Sequence, residues 1–462
     1  MPPAVLTHLA ARPGDASVYN TIKQLRQALA GSGDDTRYME NTRAACTRST
    51  TVPSWTRIPI TTVRGITMRK VFVLGLAAWS MLLDTVGHTQ ATSPPRFAPV
   101  PETQRTPEQQ AIVEQYASLR MPNYVATLLN YPQLSRLLGH VVYVTTQSGL
   151  PPRHRALLAL RTAGLTRSAY LWGNLAPPSR AAGLTDDDLA RIARGPDAPG
   201  WDPFEQTLLR AADELHVDSF ISDATWKALS ASYNVNQLVD VIDTVGTLTM
   251  HAGVMSSVRV EVERDVKEHL PSVPFTATAK RTNIRLEGRG ARIPPREATD
   301  GRAAGANLFR TFSLNPAADR TRGAMNAQVN NTNSLPPRQR ELLLMRIGVL
   351  CRSEYEYAAH HRAGVRAGLT DADVARILAG PSSGGGEPFD TVLLRAADEL
   401  FENDVISNDT WAALASSGLD TKQLFDVIIT VDGYRWNSML ISSAGVQLDD
   451  NMADFRFPPS LR

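Results

Sequence analysis

Ser353, Glu356 and His360 stand at i, i+3 and i+7, so on a helix they share one face. Glu356 and His360 form an i,i+4 pair, close enough for a carboxylate to orient an imidazole and raise its pKa. Glu341 comes from the preceding predicted helix and can face the same pocket. A hydroxyl, two carboxylates and an imidazole are material for a proton relay or a general acid/base step, typically worth about 10²–10⁴-fold in rate. A Glu–His pair at this spacing also occurs on solvated helix faces, where it does no chemistry. A metal site from Glu341, Glu356 and His360 would have one histidine and no ligand-spacing motif, so neither a metal nor a cofactor is expected. Glu354 reads as a helix-start carboxylate, His361 as an exposed side chain and Cys351 as a buried small hydrophobe.

The elements that must hold these groups are helical. Leu342, Leu343, Met345, Ile347 and Leu350 make a largely apolar helix after Pro336-Pro337, where proline is tolerated in a first turn. Thr370-Asp371-Ala372-Asp373 puts a capping hydroxyl and acidic residues ahead of Val374, Ile377 and Leu378, and Thr185-Asp186-Asp187-Asp188 does the same upstream. Val427, Ile428, Ile429 and Val431 suit a strand by composition, but the length of the surrounding run favours a buried helix. The expected fold class is all-α.

The chain repeats itself. Leu150-Pro151-Pro152-Arg153 recurs as Leu335-Pro336-Pro337-Arg338, Ala182-Gly183-Leu184-Thr185 as Ala367-Gly368-Leu369-Thr370, and Leu209 to Leu215 as Leu394 to Leu400, all at a spacing of 185 residues. One insertion after Trp226 shifts the spacing to 186, so that Thr244-Val245 matches Thr430-Val431. At these offsets Glu341 falls on Ala156, Glu354 on Ala169, Glu356 on Leu171 and His360 on Leu175, while Ser353 keeps its counterpart Ser168. The first repeat therefore reads as a structural partner without the acid/base groups. Pro177-Pro178 predict that its second helix ends early or is rebuilt. Tyr170 and Tyr355, Arg161 and Arg346, and Trp226 and Trp411 occur in both repeats, which suits packing roles.

Leu335 to Leu342, followed by Ser353-Glu354-Tyr355-Glu356-Tyr357-Ala358-Ala359-His360 and Ala367-Gly368-Leu369-Thr370, resembles the carboxymuconolactone decarboxylase family, which also contains the alkylhydroperoxidase D type. The resemblance implies two tandem alkylhydroperoxidase D-like helical domains and assembly into a homo-oligomer, a trimer of tandem chains. It also carries the family's Arg-Glu glutamate onto Glu341 and its pocket histidine onto His360. In the peroxidase branch a Cys-x-x-Cys pair sits seven and four residues before that histidine; here those places hold Ser353 and Glu356, and Cys351 lies two residues too early.

Composition bounds the rest. The 462 residues carry 48 Lys+Arg against 46 Asp+Glu, a net charge of +2, which gives no reason to expect nucleic acid as a partner. With 43 % hydrophobic and 20 % charged residues the chain can bury a sizeable core. Cys46 and Cys351 are too few for a disulfide scaffold. Residues 1–67 read as a disordered or spurious extension. Met68-Arg69-Lys70, an apolar run from Val71 to Leu83 and Thr89-Gln90-Ala91 give a secretory signal layout over 68–91, with translation starting at Met68. Next come a Pro-rich lead-in at 92–103, the first repeat at 104–272, a polar linker at 273–290 and the second repeat at 291–462.

These readings converge on a carboxymuconolactone decarboxylase-like enzyme acting on a small carboxylated or lactone-like substrate. Glu341 and His360 move protons, Glu356 orients the histidine and Ser353 hydrogen-bonds the substrate. The alternatives are a peroxidase of the alkylhydroperoxidase D type, or a non-catalytic small-molecule-binding or assembly protein. The expected location is periplasmic or secreted, off the membrane once the signal is cleaved, and cytoplasmic if the signal is unused.

Overall fold

The computed structural model describes residues 94–279, 281, 290–297 and 306–460. The expected extension and signal segment lie outside the described residues, as does Cys46. Among the described residues every regular element is helical, with no strand. No helix among them is long and apolar enough to cross a membrane.

An extended lead-in passes into α1 (Pro107–Gln115), α2 (Pro122–Leu128) and α3 (Leu138–Val142), the last widening into a π-turn over Tyr143–Gln147. Six helices follow: α4 (Pro152–Leu165), α5 (Ala169–Ala181), α6 (Asp186–Arg194), α7 (Pro203–Asp218), α8 (Asp223–Ser230) and α9 (Val235–Val258). After α10 (Asn307–Phe312) and α11 (Pro316–Asn330) a second set of six runs in matching order: α12 (Pro337–Leu350), α13 (Glu354–Arg366), α14 (Asp371–Ala379), α15 (Pro388–Asn403), α16 (Asn408–Ser416) and α17 (Thr421–Ala444). The run from Val427 to Val431 is thus helical, inside α17.

Local chemistry sets the same boundaries in both sets. Pro152 and Pro337 open α4 and α12, where no backbone N–H is needed. Thr185 accepts from the Asp188 N–H at 3.1 Å while the Asp188 carboxylate takes the Thr185 N–H at 2.9 Å. Thr370 and Asp373 form the same reciprocal cap at 3.2 and 2.9 Å. The turns that close α4 and α12 place Arg167 and Arg352 at φ 53° each, a left-handed conformation at matching positions.

Recurrent buried residues do matching work as well. Arg161 forks onto Asp213 at 2.7 and 3.0 Å and donates to the carbonyls of Ile192 and Ala193. Arg346 forks onto Asp398 at 2.6 and 2.8 Å and donates to Ile377 and Leu378. Each guanidinium thereby ties three helices of its set together. In the first set residues 275–278, at the start of the expected linker, pack into this cluster. Phe275 is buried against Gly164 and Trp172, the Thr276 carbonyl accepts from Arg161, and Thr278 donates to Asp213.

One expectation is corrected. The helix carrying Pro177-Pro178 neither ends early nor is rebuilt: α5 runs to Ala181 and matches α13 in length. Both prolines are exposed, so their rings meet no neighbouring element, while Gly173 and Asn174, whose carbonyls they leave without helical N–H donors, are buried one turn back.

The long helices α9 and α17 bury residues all round their circumference and pack against each other, so the two sets form one compact unit. Gly246 makes the close approach possible, since a Cβ there would stand 2.0 Å from the Trp436 ring. Two arginines from the segments leading into each half latch the sets reciprocally. Arg96 lies over Trp411, 4.4 Å from the ring centroid, and donates to the carbonyls of Ser257 and Ile406. Arg292 lies over Trp226 and donates to those of Ser443 and Ile221. Trp226 and Trp411 are therefore docking plates for the opposite half's lead-in. We predict that Gly246→Ala lowers unfolding free energy by about 1–3 kcal/mol through overpacking against Trp436, read as the urea midpoint; an unchanged midpoint contradicts the close packing.

Candidate active site

Glu341 sits one turn into α12, and His360 lies two turns into α13. The close packing of α12 on α13 at Gly348 sets how near their side chains come: a Cβ on Gly348 would stand 3.1 Å from the Tyr357 nitrogen. His360 Nδ1 and Glu341 Oε2 are 2.7 Å apart, and His360 Nε2 is 3.5 Å from Glu356 Oε2. The imidazole is thus held between two carboxylates, with its side chain 11 % exposed. The Glu–His pair is buried, not solvated. Glu341 makes the shorter contact, so it takes the orienting role that spacing had assigned to Glu356; spacing within one helix cannot rank a partner from another.

Burial by itself would push the His360 pKa down. The hydrogen bonds and charges of Glu341 and Glu356 outweigh it and raise the pKa from 6.5 to about 9. Burial likewise pushes the Glu341 carboxyl up, and His360 with Arg340 holds it below the usual range. Arg340 reaches Glu341 Oε1 through Nε at 3.3 Å and Nη2 at 3.2 Å. At neutral pH the centre is therefore an imidazolium with a proton to give.

Ser353 is the N-cap residue of α13, yet its buried hydroxyl has no hydrogen-bond partner among the described residues, and the same holds for Glu356 Oε1. In the first set Ser168 uses its hydroxyl to cap the Leu171 N–H at 3.3 Å. The Ser353 hydroxyl and Glu356 Oε1 are thus buried polar atoms with unused hydrogen-bonding capacity beside the imidazole. Among the described residues no three His, Cys, Asp or Glu side chains form a group able to hold a metal ion.

Two contributors escaped the sequence. Tyr434 of α17 meets the His360 ring edge to face, with centroids 4.9 Å apart, and its hydroxyl accepts from Asn330 Nδ2 of α11 at 2.9 Å. At the 186-residue offset Tyr434 falls on Leu248, so the same comparison that exposed His360 against Leu175 held the signal.

The other candidates have structural partners. Glu354 begins α13 and pairs with Arg456 at 2.9 Å. His361 is half-buried between Tyr357 and Phe455, not exposed as expected, because the chain after α17 folds back over it. Cys351 is 1 % exposed and lies 3.3 Å from the Ser219 hydroxyl; burial pushes its thiol pKa up, the reverse of what a reactive thiolate needs.

A histidine whose folded-state pKa is raised contributes stability that is complete below its unfolded value of 6.5 and is lost as pH climbs through about 9. We predict that a ¹H–¹³C NMR titration places His360 near 9, and that Glu341→Gln moves the midpoint downward. The stability advantage of the native chain over His360→Gln should shrink across the same interval. A His360 midpoint at 6.5 contradicts the two-carboxylate cradle.

No curated protein and no solved structure matches this chain. Residues 316–399 match the model described as "Carboxymuconolactone decarboxylase family", a stretch that runs from α11 into α15 and contains Glu341, Ser353, Glu356 and His360. The stretch 316–399, which holds the candidate site, is similar to the carboxymuconolactone decarboxylase family.

Proposed function

We propose that the chain is a tandem duplication of an alkylhydroperoxidase D-like helical unit with one competent acid/base site. That site, in the second half, acts on a small carboxylated or lactone-like acid in the manner of a carboxymuconolactone decarboxylase. The observation that carries this reading is the buried His360 imidazole between Glu341 and Glu356. In a decarboxylation the C–C bond to the carboxylate breaks, CO₂ leaves, and the electron pair passes into the neighbouring carbonyl system as an enolate. The enolate carbon then takes the proton of His360 Nε2, and the neutral imidazole regains one from solvent by way of Glu356.

Each residue's part follows from its place. Glu341 holds Nδ1 and so keeps Nε2–H as the donor; Arg340 balances Glu341; Ser353 offers a hydrogen bond to the substrate. The edge of Tyr434 keeps the ring from turning. A thiol-based peroxidase would need Cys351 as thiolate, and its burial argues against that role. The duplicated unit is proposed to assemble as a homo-oligomer, a trimer of tandem chains, and to be exported to the periplasm or outside the cell.

The test is CO₂ release from a panel of small lactone acids. His360→Ala should lower kcat by about 10²-fold or more, the usual worth of a positioned proton donor, with Cys351→Ser unchanged. Retained activity in His360→Ala, or loss in Cys351→Ser, overturns the reading.

A further inference from the structure

The first half retains the cation of the site without its carboxylate. Arg155 stands where the second half has Arg340, and Ala156 where it has Glu341. Beside Glu341, Arg340 has an anionic partner; Arg155 forms no ion pair among the described residues and reaches only the carbonyls of Ser148 at 3.2 Å and Leu150 at 3.4 Å. The nearest charge acting on it, Asp240, is engaged by the Tyr143 hydroxyl, the Gly149 N–H and Asn315. Burial pushes the Arg155 pKa down, the mark of a guanidinium partly stripped of water without full compensation.

Arg155 lines a pocket of about 180 Å³ whose wall includes Ala156, Ala159 and Leu175 together with Thr145, Thr146 and Asn174. An apolar cavity of roughly 150 Å³ suffices for a benzene ring. Arg120, Met121, Asn174 and Pro178 also line a neighbouring cavity of about 570 Å³, so the two adjoin. The larger cavity carries Glu263, Asp265 and Glu268 against Lys267 and Arg120, an acidic excess that disfavours an anion there. The Arg155 end is where a negative charge fits. With Ala156 and Leu175 in place of Glu341 and His360, the slot has no acid/base pair and combines apolar walls with hydroxyl and amide groups and the cations Arg155 and Arg120.

We propose that the first half is a non-catalytic binding site for a small organic acid. The ligand's carboxylate pairs with Arg155, as Glu341 pairs with Arg340, and its ring or short chain lies on Ala156 and Leu175. The site needs no proton donor, so it stands independently of the reaction proposed for the second half.

The experiment titrates the full chain into 4-fluorobenzoate and, separately, neutral 4-fluorobenzamide, following ¹⁹F NMR shift and linewidth. The native chain should bind the benzoate saturably and the benzamide far more weakly. Ala156→Glu returns an internal partner to Arg155, and Arg155→Gln removes the cation. Each should weaken benzoate binding by about tenfold or more, the worth of a charge-assisted hydrogen bond. Arg155→Lys keeps the charge and should retain binding, so an Ala156→Glu chain that fails to fold leaves the two Arg155 variants to decide. Equal affinity in the native chain and Arg155→Gln, equal binding of the amide, or no saturable binding overturns the proposal. His360→Ala should leave this binding in place while lowering turnover by about 10²-fold or more, which separates failure here from failure of the decarboxylase reading.

Discussion

Two helices of 24 residues, α9 and α17, are buried on nearly every side and must be covered all round. The rest of the fold is arranged around that constraint. Each six-helix set covers part of its own long helix, and the remaining surface of α9 is covered by α17 and that of α17 by α9. Close approach of the pair depends on Gly246 giving way to Trp436 and on Gly253 giving way to Asp432. A larger residue at either place would pry apart the two halves together, since they share this seam.

Charge inside such a core is costly unless every donor finds an acceptor. Arg161 and Arg346 meet that demand with a carboxylate fork and two helix-end carbonyls each, which explains their recurrence without any appeal to catalysis. The latches of Arg96 and Arg292 follow the same logic at the boundary between halves: a guanidinium spread over an indole face, its N–H groups directed at carbonyls of both sets. Seated on this scaffold, α12 and α13 are rigid enough to hold an imidazole between two carboxylates.

The two halves share one order of helices but carry different side chains at equivalent places. In the second, Glu341, Glu356 and Tyr434 surround His360 and raise its pKa. In the first, Ala156, Leu171, Leu248 and Leu175 occupy the corresponding positions, and Arg155 lines a pocket of mixed apolar and polar walls. Conserving helix lengths and caps while exchanging these side chains changes what each half can bind, because the backbone frame does not depend on them.

Within single helices the amino-acid sequence was a sufficient guide. Proline at the first turn, the Thr–Asp caps and the length of the run around Val427 to Val431 dictate helix type and ends, since these are interactions among neighbours along the chain. The same reasoning put Ser353, Glu356 and His360 on one face, the 185-residue offset showed Glu341, Glu354, Glu356 and His360 all without counterparts in the first repeat, and the resemblance picked Glu341 and His360 from among them. What the sequence left open lies between helices. That Glu341 makes the short bond to His360, that Tyr434 closes over the ring, that Phe275 and Thr278 seal the Arg161 cluster, and that Pro177-Pro178 fit an unbroken helix by facing solvent are all matters of how elements pack. Spacing along the chain places a side chain on a face; only packing sets its distance to a partner from another helix, and that distance decides which groups share a proton.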